Sequence, residues 1–264
     1  MRITLLSLVA GAVLAQSLED TTVARALEFR LSSADMSFML LGVEDGRLIA
    51  ARWPDPQRPI PLGSLIKPFT ALAYGERHGY RYPRFTCRGE QDGCRSPRGH
   101  GQIGLEEALA WSCNAWFEQL AKRTEPEDVV AVLGRLGVTA RPADGLPGTL
   151  IGRGEAWRIS PLEMARAYCE LASRRSDPAT KPLLRGLASS ARWGTASGLG
   201  TPALAKTGTA QCSHAARGAG DGFVLALYPP EAPRYALLLR AHGVPGAQAA
   251  VRAGRALRRE GTEP

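Results

Sequence analysis

The sequence predicts an α+β fold: an antiparallel sheet built from both chain ends and flanked by helices, with a helical lobe inserted between the two ends. Three observations predict it. Near the N-terminus the apolar runs Met36 to Val43 and Leu48 to Trp53 are joined by Glu44-Asp45-Gly46-Arg47, an Asp-Gly turn of the β-hairpin kind. The middle of the chain carries helical spacing, and the last quarter returns to short apolar runs separated by turn residues. With 264 residues, 44% hydrophobic and 22% charged, the chain can bury the core of one large domain, and it has no fixed repeat of the coiled-coil or collagen kind.

Taken in order, Met1-Arg2, the uncharged apolar run Ile3 to Leu14 and the small-residue pattern Val13-Leu14-Ala15 read as a secretory signal peptide over residues 1–15. The run is shorter than the ~20 apolar residues of a membrane-spanning helix. Residues 16–264 are then one exported domain, periplasmic or extracellular, with no stable membrane anchor after cleavage. Leu18 to Leu31 has helical spacing and precedes the hairpin; Pro54, Pro56, Pro59 and Pro61 then interrupt regular structure. Ser64 to His78 turns helical, with Pro68 tolerated in the first turn. Helices follow at Leu105 to Trp111, Ala115 to Arg123, Glu127 to Leu136 and Pro161 to Ser173, the last opened by Ser160 and Glu163 in capping-box spacing. Strands are expected at Leu204 to Cys212, Gly222 to Tyr228 and Tyr235 to Ala241, and an amphipathic helix at Ala247 to Arg259. A cleft is expected between the sheet and the inserted lobe.

The formal charge of +8 comes from arginine, since only Lys67, Lys122, Lys181 and Lys206 are lysines. The basic residues are spread without clusters or interleaved aromatics, so no nucleic-acid surface is indicated. Among the 5 cysteines, Cys87 and Cys94 flank a polar, turn-rich segment that a disulfide bridge would close. A zinc reading of that pair needs two more ligands at short spacing, and only His100 lies near, so the bridge is expected. Cys169, in an apolar helical stretch, reads as a core residue.

Three short motifs carry chemistry. Ser64-Leu65-Ile66-Lys67 places a hydroxyl and an amine three residues apart at a helix start, on one face. Such a pair serves as nucleophile and base when the amine is held neutral by desolvation or a nearby cation. Ser112-Cys113-Asn114 lies between two helices, where side chains can project into a cleft, although a serine there also suits a helix N-cap. Lys206-Thr207-Gly208-Thr209 falls on a strand, and a glycine inside a strand often marks close approach of a ligand or another backbone.

Together and in this order the motifs resemble the Ser-x-x-Lys, Ser-x-Asn and Lys-Thr-Gly set of penicillin-binding proteins and serine β-lactamases. The flanking segments Pro61 to Phe69, Glu107 to Phe117 and Ile159 to Ala165 are similar to those of the transpeptidases in that superfamily, and the likeness covers about Met36 to Ala241. The resemblance implies a β-lactamase/transpeptidase-like fold and a serine acyl-enzyme acting on peptidoglycan stem peptides and β-lactams. In that reading Ser64 attacks a carbonyl, Lys67 takes its proton, and Ser112, held by Lys206, returns a proton to the departing amine. The backbone N–H groups of Ser64 and Thr209 form the oxyanion hole, a term worth about 3–4 kcal/mol per donor. Asn114 holds the substrate amide, and Thr207, Gly208 and Thr209 line the place of its terminal carboxylate. No metal or organic cofactor is needed for these steps.

Within the superfamily, no glutamate stands at the spacing to an asparagine that class A β-lactamases use to activate water. Class D enzymes use a carboxylated lysine in a dry pocket and carry an apolar residue where this chain has Asn114. A D,D-transpeptidase or D,D-carboxypeptidase is therefore the expectation, and a class D-like β-lactamase the alternative. A penicillin sensor uses the same acylation but works with a membrane-linked transducer, for which no segment is evident. A lone catalytic domain also leaves room for a cell-wall synthesis partner.

Overall fold

The computed structural model describes residues 18–258 apart from 212–219, so the expected signal peptide over 1–15 and Cys212 lie outside the described residues. Helix α1 (18–30) leads into strands β1 (Met36–Gly42) and β2 (Leu48–Arg52). The C-terminal part supplies β5 (Leu204–Ala210), β6 (Asp221–Tyr228), β7 (Tyr235–His242) and helix α9 (Gly246–Arg258). These strands form a 5-stranded sheet of order β2-β1-β7-β6-β5, with every named pairing antiparallel. The sheet is therefore closed by pairing one chain end with the other, β1 against β7 from Met36↔Ala241 to Gly42↔Tyr235.

Side-chain alternation divides the core into two layers. Phe38 and Leu40 of β1 face a layer shared with Leu27, Leu31 and the alanines Ala249, Ala250 and Ala253 of α9. Met39 and Leu41 face the opposite way, into the larger cluster that the inserted lobe completes with Phe69, Trp116, Phe117 and Tyr168. Alternate residues of one strand thus anchor both layers, which pins the register of β1, since a slip by one would exchange the two faces.

Between β2 and β5 runs the lobe: α2 (Lys67–Arg77), the short strands β3 (Phe85–Cys87) and β4 (Gly101–Ile103), α3 (Leu105–Ala110), α4 (Asn114–Ala121), α5 (Pro126–Arg135), α6 (Pro147–Leu150), α7 (Pro161–Ser173) and α8 (Lys181–Arg192). Prolines stand in the first turn of α2, α5, α6, α7 and α8, where a missing N–H leaves no helical bond unmade. The pairing of β3 with β4 and helices α6 and α8 lie outside the expected elements, although Leu183, Leu184, Leu187 and Ala191 of α8 do recur at helical spacing. The hairpin strands are only three residues each, too short for a periodicity to show. The Ser160 cap forms as expected, its Oγ accepting from Glu163 N at 3.2 Å, but the box is only half made. The Glu163 carboxylate instead accepts from Thr139 Oγ1 at 2.8 Å. Among the described residues no helix is long and apolar enough to cross a membrane.

Candidate active site

All three motifs meet at one cavity of about 1030 Å³ between the sheet edge and the lobe; Ser64, Ser112, Asn114, Thr207 and Thr209 line it. Ser64 sits on a 3-10 turn, Gly63–Ile66, that feeds directly into α2. Gly63 has φ +58°, and a Cβ on it would run into the Thr209 carbonyl, so only glycine lets this turn lie against β5. Gly208 has the same duty from the other side, since a Cβ there would strike the Leu62 carbonyl. The expected close approach at the strand glycine is thus the contact between β5 and the serine turn. Behind the turn, the buried Tyr168 hydroxyl donates to Leu65 O at 2.7 Å.

Ser112 is the junction of the site. Its Oγ accepts from Lys206 Nζ at 2.7 Å and lies 3.4 Å from Lys67 Nζ. Lys67 Nζ also donates to Ser112 O at 2.7 Å and to Asn114 Oδ1 at 2.6 Å. These partners are 45 and 47 residues away along the chain, and Lys206 is 94 residues from Ser112, so the arrangement is wholly tertiary. Ser64 is not among the three Lys67 partners, although it lines the cavity one turn before the amine. Ser112 has φ +50°, a left-handed conformation that a non-glycine residue adopts at a cost. The N-cap of α4 is Cys113, not Ser112, whose hydroxyl is committed to the lysines instead of a helix N–H.

Both amines are fully buried. Burial, opposed by Cys113 and Cys94 and aided by Arg95 and Arg153, pushes the Lys67 ammonium down to about 7. Burial, followed by the charges of Lys67 and Arg95, holds Lys206 well below the usual lysine range. On β5 the Thr207 hydroxyl donates to Thr195 Oγ1 at 2.7 Å, and Thr209 Oγ1 accepts from Gly246 N at 2.9 Å. Thr195, Arg95, Arg153 and Trp111 also line the cavity. Thr195, Arg95 and Arg153 sit in irregular stretches that carry no motif, which is why the sequence did not single them out, whereas Trp111 adjoins Ser112 within the segment Glu107 to Phe117.

The expected Cys87–Cys94 bridge is not made: Cys87, Cys94, Cys113 and Cys169 are all free and buried. The segment between Cys87 and Cys94 winds into a 3-10 turn, Gly89–Asp92, that directs both sulfurs toward Cys113 and His100 rather than toward each other alone. Cys169 lies in the large apolar cluster, as expected.

Ser64 on its 3-10 turn, Ser112 in the turn before α4 and the two desolvated lysines, Lys67 of α2 and Lys206 of β5, are thus gathered at one cavity wall. The penicillin-binding protein transpeptidase domain family model matches residues 56–256, and the chain belongs to that family. Pseudomonas aeruginosa PBP2 is similar in structure, with TM-score 0.73 at 17% identity over 88% of this chain and 72% of that one. The transpeptidase domain of Burkholderia pseudomallei penicillin-binding protein 3 is similar too, with TM-score 0.65 at 18% identity over 93% of this chain and 95% of that one. Penicillin-binding protein 1B of Vibrio cholerae is 29% identical over 119 residues, which is 40% of this chain and 15% of that protein's length.

Proposed function

We propose that the protein is a D,D-transpeptidase or D,D-carboxypeptidase acting outside the cytoplasm on peptidoglycan stem peptides through an acyl-enzyme on Ser64. The observation that carries this reading is the Lys206–Ser112–Lys67 hydrogen-bond chain, closed by Asn114, at the wall of the cavity that Ser64 enters. The Ser64 hydroxyl, turned onto a neutral Lys67 Nζ, gives up its proton as its oxygen bonds the carbonyl carbon. The N–H groups of Ser64 and Thr209 receive the oxyanion. As the C–N bond breaks, Ser112 gives its proton to the leaving amine and takes one in turn from the Lys67 ammonium 3.4 Å away, which leaves Lys67 neutral again, while Lys206 Nζ supports the serine oxygen. Deacylation by an amine or by water runs the same proton path in reverse. Thr207 and Thr209 line the place of the terminal carboxylate on β5, which among the described residues is an edge strand, and an extended peptide can add alongside it.

Carboxylation of Lys67, as a class D-like β-lactamase requires, fits poorly with its surroundings. A carbamate would place negative charge against two oxygens, Ser112 O and Asn114 Oδ1, that now accept from the amine. The test is mass spectrometry of protein incubated with labelled penicillin. One adduct on Ser64, absent from Ser64→Ala and lasting many minutes with or without bicarbonate, is expected. Turnover within seconds that rises with bicarbonate would replace the reading with the β-lactamase one. Incubation with a disaccharide pentapeptide then separates transfer to an amine from hydrolysis.

A further inference from the structure

Immediately behind the second catalytic motif, four side chains from four places in the chain converge. Cys87 closes β3, Cys94 follows the 3-10 turn, His100 precedes β4, and Cys113 is the N-cap of α4. Their ligating atoms all lie within 4.8 Å of one another. Cys94 Sγ is 3.9 Å from Cys113 Sγ, and His100 Nδ1 is 3.5 Å from Cys87 Sγ and 3.7 Å from Cys94 Sγ. A tetrahedral zinc ion with sulfurs at about 2.3 Å and a nitrogen at about 2.0 Å needs S···S edges of about 3.8 Å and S···N edges of about 3.5 Å. A disulfide needs about 2.05 Å between sulfurs and always leaves one of three thiols over.

The surroundings also suit a metal. The His100 ring is stacked on Trp111 at 5.7 Å with its Nδ1 toward the sulfurs. The loop from Arg88 to Gly99 has no large apolar side chain to pack; its own hydrogen bonds, such as Arg88 N to Asp92 Oδ2 at 2.7 Å, shape it, and the cluster is what joins it to α4. Three thiolates and one imidazole are the donor set of a closed, structural zinc site.

We propose that Cys87, Cys94, His100 and Cys113 bind one zinc ion in a structural site that anchors the Ser112–Asn114 turn. Each thiol loses its proton to solvent as its sulfur binds the metal, and the four protein donors leave no open position for chemistry. Through Cys113 the ion ties the β3–β4 loop to the residues on either side of it, one of which is Ser112 in its left-handed conformation. The metal sits outside the acyl-transfer steps and supports their geometry.

The test uses the full chain purified under reducing conditions with zinc, then freed of unbound metal. Elemental analysis should give about one zinc per chain, and cobalt exchanged into the wild-type protein should show the thiolate-to-metal charge-transfer absorption of a tetrahedral site. Cys94→Ser and Cys113→Ser should weaken binding by more than the roughly 10–100-fold that loss of an outer partner costs, while Cys169→Ser retains the ion. The cobalt spectrum is read on wild-type protein, so it stands even if a ligand variant does not fold. Metal-free protein after zinc loading, a disulfide between any two of the three cysteines in loaded protein, or equal zinc loss in Cys169→Ser would overturn the site. The anchoring role rests on the acylation reading above, whereas the metal count does not. Chelation should slow penicillin acylation at least about tenfold with helix content retained, and an unchanged rate on metal-free, folded protein would sink the anchoring alone.

Discussion

The two walls of the cleft are built differently. One is β5, locked into seven successive register pairs with β6 from Leu204↔Leu227 to Ala210↔Asp221, and it delivers Lys206, Thr207 and Thr209 as consecutive or alternate strand residues. The other is the turn between α3 and α4, which delivers Ser112 at φ +50° and Asn114 as the first helical residue. A paired strand places side chains by its own hydrogen bonds, so its wall needs little outside help. A left-handed serine persists only if its surroundings over-determine it, and here those are the two lysines and the sulfur cluster beneath. The geometry of this site therefore depends on regular structure on one side and on side-chain chemistry on the other.

The sharpest way to break the comparison is at the point that both walls serve. Ser64→Ala should abolish penicillin labelling on an otherwise folded protein, and residual label at another serine would show that the walls converge on a different nucleophile. Next in size, Ser112→Ala should slow acylation by about 10²–10⁴-fold, the usual worth of a positioned proton carrier, and cost about 1–3 kcal/mol of stability because the buried Lys206 amine loses its Oγ partner. Stopped-flow labelling and a melting curve measured together separate the two effects.

On the sheet wall the loss should be of stability instead. Phe223 pairs with Gly208 in register and stacks on Trp53 at 6.5 Å, so Phe223→Ala should cost about 3–5 kcal/mol in denaturant unfolding. The labelling rate of the remaining folded fraction should hold; a fall of tenfold or more would mean that the sheet wall is as fragile as the turn.

pH addresses the shared lysine. Because Lys67 is lowered to about 7, it is neutral and able to accept a proton above that pH and protonated below it. The acylation rate should therefore rise through about pH 7 and fall by up to about tenfold per unit below it. A flat profile from pH 5 to 8, taken by the same labelling assay on acid-stable protein, would remove Lys67 as the base. The smallest effect is expected far from both walls, where Glu76 of α2 meets Arg135 of α5 at 2.5 and 2.7 Å on the surface. Glu76→Gln should lower stability by less than about 1 kcal/mol and leave labelling unchanged, as calorimetry and the label would report.

The sequence by itself determined which segments become β1, β2, β5, β6, β7, α7 and α9, since each is long enough for its apolar period to show. It also determined the three reactive motifs, because their residue types and order are a local property of the chain. Tertiary structure alone decided what those motifs touch. Lys67 bonds Ser112 and Asn114 but not Ser64, and Thr207 is steadied by Thr195 from an irregular segment. The sulfur cluster is the clearest case. Cys113 lies 19 residues from Cys94 in the chain, so sequence spacing paired Cys94 with Cys87, and only the packing of α4 against the β3–β4 loop brought the third thiol to 3.9 Å. Local periodicity is written into neighbouring residues, whereas a ligand set or a proton path is assembled from distant ones, and their meeting is a consequence of how the layers pack.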